Sequence, residues 1–197
     1  MPRKNDRNTR GRIISAAWKL FYDQGYASTT IEDIIFESET SRGSFYHYFK
    51  SKDDLLGTLA YVFDEEYQRL EGTLEDDWST RQKLIFLNSA LFRMIEERIS
   101  RELLTKLLST QLNETGEKHL LDRNRTYFRL LRTICAEGAK RGEFLAGMSA
   151  EDIVKAYALW ERALLYDWCL HEGEYSLTDY TDRMTPLFLS GLMKNSD

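Results

Sequence analysis

Apolar residues recur along this chain at the three- and four-residue spacing of helices, without the alternating β-branched runs that mark strands, so it reads as all-α. Ile14, Ala17, Trp18 and Phe21 share one face of a first helix predicted over residues 9–23. Gly25 marks its end, and Tyr26 is expected to fold back onto a small core. Thr30 is placed to cap a second helix, with Asp33 three residues on and Ile31, Ile34 and Ile35 as its apolar stripe. The polar run 37–40 interrupts the pattern, and Ser41 caps a third helix reaching residue 48 or 49. There Phe45 and Phe49 share a face, while Arg42, Ser44, Tyr46 and His47 lie on others. So many donors near the start of a helix suit a DNA groove better than a buried core.

Ser51 and Asp54 begin a fourth helix whose apolar positions, Leu55, Leu56, Leu59, Val62, Phe63 and Tyr67, run to about residue 72. Read as one continuous rod, it predicts that a tilt at one end moves the other. A fifth helix over about 80–99, a sixth over 101–112 and a seventh over 117–141 follow, with a break at 113–116. Ser149, with Asp152 three residues on, caps an eighth helix to about residue 171. A ninth runs from 177 or 178 to about 193, and Pro186 inside it should kink it or shorten its regular part. Residues 1–8, polar and charged, are expected to be disordered on their own.

Charge sharpens this picture. Residues 1–52 hold nine lysines and arginines against six acidic residues, while the remaining eighteen basic and twenty-six acidic residues leave the rest negative. A basic end on an acidic body can bind phosphate locally, and the body's charge limits indiscriminate binding. The excess sits in Arg3, Lys4, Arg7, Arg10 and Arg12, candidates for phosphate or minor-groove contact. No apolar run reaches the roughly 18 residues that span a bilayer, and no signal-peptide pattern follows the N-terminus, so no membrane partner is expected. Cys135 and Cys169 are too few and too isolated for a disulfide framework, which suits a reducing cytoplasm. His47, His119 and His171 are far apart, and Cys169 and His171, two residues apart, fall on different helix faces. With no glycine-rich phosphate loop or serine-nucleophile motif, neither enzyme activity, a metal nor a cofactor is expected.

The run IISAAWKLFYDQGYASTTIEDI, followed by SRGSFYHYFKSKDDLL, resembles the DNA-binding domain of TetR-family transcriptional regulators. The order matches: an Ala-Ala helix ending in Leu-Phe, Gly-Tyr, paired threonines, an aromatic recognition helix and a Ser-Lys start to the next helix. The likeness is strong over about residues 10–56 and continues in layout beyond. It implies about nine helices: a three-helix helix-turn-helix domain over 1–50 and a helical ligand-binding and dimerisation bundle over 51–197. By the same resemblance Thr30 bonds a phosphate while capping its helix. Arg42 and Ser44 read base edges, and Gly43 lets the backbone approach the groove. Tyr46, His47 and Tyr48 touch phosphates or thymine methyls, and Lys52 pairs with a phosphate. One departure stands out. The turn SETS places Glu39 where the family usually has glycine, and a side chain at positive φ is disfavoured.

The family also implies a cavity in the body, with Phe63, Tyr67, Phe86, Met94, Leu104, Leu108, Tyr127, Leu131, Cys135 and Trp160 as candidate lining, suited to a small apolar or aromatic ligand. Ile153, Ala156, Tyr157, Trp160, Ala163, Leu164 and Trp168 form an apolar stripe shared between core and a homodimer interface. The expected function is a homodimeric repressor released from a palindromic double-stranded DNA operator by a small molecule. The alternatives are an activator of the same family, or a helical carrier or interaction module that binds no DNA.

Overall fold

The computed structural model describes the backbone of residues 4–113 and 118–194, and among them every regular element is a helix. The expected break at 113–116 and the expected helix start at 117 fall largely outside these residues. In chain order the α-helices are α1 (Lys4–Gln24), α2 (Ile31–Glu37), α3 (Arg42–Tyr48), α4 (Leu59–Glu71), α5 (Thr80–Arg98), α6 (Arg101–Asn113), α7 (Thr126–Lys140), α8 (Ala150–Leu170) and α9 (Leu177–Ser190). Short 3-10 turns occupy Asp53–Thr58 and His119–Leu121. Packing divides the chain into two units, Met1–Ala60 with Arg98–Glu117, and Tyr61–Glu97 with Lys118–Asp197.

In the first unit α1 buries Ile13, Ala16, Ala17 and Phe21 against Ile34 of α2 and Phe45 of α3. The buried face is thus centred one residue before the predicted one. Ile14 and Trp18 are half-buried, and the Trp18 indole N–H donates to the buried Thr58 hydroxyl at 2.8 Å. Helix α1 starts at Lys4 rather than 9, so residues 4–8, expected to be disordered, are helical. No proline or glycine interrupts that stretch. Unexpectedly, α6 belongs to this unit. Its Leu103, Leu104, Leu107 and Leu108 are buried, and it packs on the 3-10 turn that carries buried Leu55 and Leu56.

That turn also corrects the continuous rod. Residues 53–58 form 3-10 structure, and regular α-helix begins only at Leu59. The Thr58 hydroxyl donates to the Leu55 carbonyl at 2.5 Å, and Gly57 contributes no side chain to favour the wider helix. Asp54 ties the segment down by accepting from the backbone N–H of Lys50 at 2.6 Å.

The second unit packs α7 along α8 and α8 against α9, with α5 close by. A Cβ on Gly138 of α7 would lie 2.1 Å from the Thr80 hydroxyl at the start of α5, so only glycine permits that approach. Helix α7 begins at Thr126, later than the predicted 117, after the 3-10 turn at His119–Leu121. The Ser149–Asp152 capping box starts α8 as predicted. Helix α9 continues through Pro186 and stops at Ser190, three residues short of expectation, with Gly191 as its C-cap. Of the predicted interface stripe, Ile153, Tyr157, Leu164 and Trp168 are core, while Ala163 is exposed. The large apolar side chains that do face outward from α8 and α9 are Leu159, Leu170 and Leu187.

Candidate nucleic-acid interface

Capping fixes both helices of the motif. The Thr30 hydroxyl accepts from the Asp33 backbone N–H at 3.1 Å, and the Asp33 carboxylate accepts from the Thr30 N–H at 2.8 Å. Because Thr30 also donates its hydroxyl proton to that carboxylate at 2.7 Å, a phosphate arriving here competes with Asp33. These bonds hold the Asp33 carboxyl below the usual aspartate range. At the next cap, the Ser41 hydroxyl accepts from the Ser44 N–H at 3.0 Å.

Helix α3 then presents two unlike faces. Phe45 is fully buried and Phe49 nearly so, which pins the helix to α1 and α2. Arg42, Gly43, Tyr46 and His47 are exposed on the outer side, and Ser44 and Tyr48 are half-buried at its margins. A Cβ on Gly43 would meet nothing closer than the Ser41 hydroxyl at 3.9 Å, so what glycine adds here is uncovered backbone facing outward. The Arg42 guanidinium lies 3.3 Å from the Glu32 carboxylate and 5.7 Å from the centre of the Tyr46 ring.

The turn answers the question raised by Glu39. Its φ is 50°, in the left-handed region where glycine usually sits. The Glu39 N–H donates to the Phe36 carbonyl and the Thr40 N–H to the Ile35 carbonyl, both at 3.1 Å, which is the paired closure of a helix C-terminus normally built on glycine. The motif therefore keeps its usual geometry despite the side chain, at a cost of about 1–2 kcal/mol for the left-handed conformation.

Lys52 is directed inward. Its ammonium donates to the carbonyls of Tyr26 and Thr29 at 2.6 and 2.7 Å and lies 4.2 Å from the centre of the Tyr26 ring. Partial burial lowers its pKa. Lys106 of α6 approaches the same ring at 5.0 Å, and the Tyr26 hydroxyl donates to Asp53. Lys52 thus fixes the turn between α1 and α2. Of the basic arm, Arg10 lies 5.6 Å from the centre of the Phe49 ring and Arg12 is exposed, while Arg3 and the side chains of Lys4 and Arg7 are outside the described residues.

The candidate ligand residues are spread more widely than the sequence suggests. Phe63, Tyr67, Met94, Tyr127, Leu131 and Cys135 are buried in the second unit, whereas Leu104 and Leu108 are buried in the first. Phe86 and Trp160 are half-buried, against Trp78 and Phe188 respectively. Sequence reasoning missed Glu161, a buried carboxylate on α8. It accepts from the Tyr127 hydroxyl at 2.7 Å, the Asn88 amide at 3.1 Å and the Tyr67 hydroxyl at 3.3 Å. Burial raises its pKa above the usual glutamate range, against the pull of those donors. Asn88 in turn accepts from Thr185 at 2.8 Å, so side chains of α4, α5, α7, α8 and α9 meet in one polar cluster. Its signal was a lone acid inside the apolar run ALWERALL.

Comparison with known proteins agrees with this architecture. Residues 13–59 match the sequence model of bacterial regulatory proteins of the tetR family. The chain is 23% identical over 185 residues to the fatty acid metabolism regulator protein of Bacillus subtilis (strain 168), covering 92% of this chain and 94% of that protein. It is 28% identical over 188 residues to the HTH-type transcriptional repressor KstR2 of Mycolicibacterium smegmatis, covering 94% and 91%. The crystal structure of the regulator FadR from Bacillus subtilis in complex with stearoyl-CoA superposes with a TM-score of 0.68 at 21% identity, over 92% of this chain and 98% of that one. Residues 13–59 therefore carry the helix-turn-helix domain of the tetR family of bacterial regulatory proteins, and the fold of the whole chain is shared with the Bacillus subtilis regulator.

Proposed function

We propose that this protein is a homodimeric repressor that binds a palindromic double-stranded DNA operator and leaves it when a small molecule occupies the body. The observation that carries this reading is the two-faced α3, anchored by Phe45 and Phe49 and offering Arg42, Gly43, Tyr46 and His47 outward. Arg42 is the base reader, matched to the paired acceptors of guanine. Ser44 reads a base edge beside it, Thr30 and Tyr48 place the motif on phosphates, and Lys52 serves the same end by holding the α1–α2 turn. In this division residues 1–50 read DNA, and residues 51–197 dimerise and respond. The protein acts in the cytoplasm as a regulator and not as an enzyme.

Leu159 and Leu170 of α8, with Leu187 of α9, support a dimer through these helices. Two-fold symmetry then sets two α3 helices about 34–36 Å apart, one turn of DNA. For the ligand, the buried aromatics Phe63, Tyr67 and Tyr127 favour a small apolar or aromatic molecule, and the acyl-CoA held by the Bacillus subtilis regulator makes acyl thioesters the first compounds to try. Ligand acts by favouring a state in which α4 tilts about the 3-10 turn at Asp53–Thr58. It must bind the two states with different affinity to shift them.

The test is selection of bound duplexes from a random pool by the full chain, then titration of the selected sequence at several salt concentrations. A palindromic sequence whose affinity falls steeply with salt is the expected result. Failure to enrich any sequence refutes the proposal in favour of a carrier without DNA binding.

A further inference from the structure

Glu32 stands in the first turn of α2, where the helix dipole favours an acid, but that role does not require its contact with Arg42. Both side chains are largely exposed, at 64% and 68%, and exposed pairs contribute little to stability. Glu32 takes no part in the capping box, which Thr30 and Asp33 complete without it. With Arg42 it lines a shallow groove of about 410 Å³ between α2 and the first turn of α3. Glu39, also on that groove, adds a second negative charge. An acid beside the principal base-reading arginine opposes binding to any polyanion, so its position calls for a role in discrimination.

We infer that Glu32 is a specificity-determining residue for operator recognition, acting through Arg42. A guanidinium has five N–H donors in a rigid fork, so Arg42 can keep its ion pair with Glu32 at one nitrogen while offering two N–H groups to the paired acceptors of guanine. The Glu32 carboxylate and the Tyr46 ring both lie against the guanidinium, which biases its direction before DNA arrives. Were Arg42 to turn toward a phosphate instead, Glu32 would be left without its partner beside the negative backbone. The carboxylate therefore penalises the sequence-independent mode and spares the base-specific one.

This inference rests on the reading of Arg42 as a base reader, and the experiment separates the two. Duplexes selected by the wild-type chain, every single-base variant of the best one, and random DNA are titrated with wild type, Glu32→Gln, Glu32→Asp, Arg42→Ala and the Glu32→Gln/Arg42→Ala double variant. Far-UV circular dichroism and thermal unfolding accompany each to show that the fold is kept. Glu32→Gln is expected to lose about tenfold in discrimination at the base pair that Arg42→Ala also relaxes. At the same time it should bind random DNA severalfold tighter at low salt. Glu32→Asp, which keeps the charge but shortens the reach, should relax the base preference without the gain on random DNA. The double variant should discriminate no worse than Arg42→Ala alone. Undiminished discrimination by Glu32→Gln, or relaxation at base pairs that Arg42 does not affect, overturns the inference while leaving the repressor reading intact. If wild type selects a sequence and Arg42→Ala relaxes no position, the base-reader assignment falls and the inference falls with it.

Discussion

The two compact units place their polar chemistry on opposite sides of their surfaces. In the first, hydrogen-bonding side chains of α3 face outward over a core of Ile13, Phe21, Ile34 and Phe45. In the second, the conspicuous polar group is inside, where Glu161 gathers Tyr67, Tyr127 and Asn88 from three other helices. The difference is energetic as well as geometric. An outward donor costs little until DNA satisfies it, whereas a buried carboxylate must be satisfied by the fold itself or weaken it. The first arrangement suits reading another molecule, and the second makes one packing of five helices sensitive to a single charge.

The sharpest way to break this comparison is to exchange inside for outside on α3. Phe45→Ala should lower stability by about 3–5 kcal/mol, seen in urea or thermal unfolding, and DNA binding should fail with the fold. Arg42→Ala should leave the unfolding midpoint near wild type and remove about 1–3 kcal/mol of discrimination at one base pair in competition titrations. If Arg42→Ala instead destabilises the fold, the outer face of α3 is structural. Glu39→Gly should stabilise the protein by about 1 kcal/mol, since glycine adopts the left-handed turn without a Cβ penalty. A variant less stable than wild type would mean that the Glu39 side chain holds the turn.

The smallest effect concerns the interior of the second unit. Because burial raises the folded-state pKa of Glu161 above its unfolded value, the native state binds the proton more tightly. Its contribution to stability is therefore most favourable below the ordinary glutamate pKa and is lost as pH rises through the folded pKa. Glu161→Gln, which cannot ionise, should gain stability relative to wild type as pH rises from below the ordinary glutamate pKa toward neutrality. A constant difference between the two unfolding midpoints across that range would show that Glu161 does not change its charge there.

What was legible in the sequence was local. Thr30–Asp33, Ser41 and Ser149–Asp152 announce helix starts because capping depends on residues three apart, and all three caps form as read. The anomaly at Glu39 was legible for the same reason, since positive φ is a single-residue property. Hidden from the sequence were features made by residues far apart along the chain. Leu104 and Leu108 look like any other core leucines, and only packing assigns α6 to the unit that contains α1–α3. Lys52 is expected to pair with a phosphate, but two carbonyls more than twenty residues away accept from its ammonium. Glu161 sits where the apolar pattern leaves room for an exposed acid, and its burial depends on donors from three other helices.

One indole gives the protein a built-in optical probe. Trp18 belongs to the first unit, whereas Trp78, Trp160 and Trp168 belong to the second. Its N–H is bonded to Thr58, the last residue of the 3-10 turn, so its emission wavelength depends on whether that turn is intact. With the other three indoles replaced by phenylalanine, fluorescence would follow the start of α4 alone. Rearrangement there could then be timed by stopped flow, without attaching a dye to either unit.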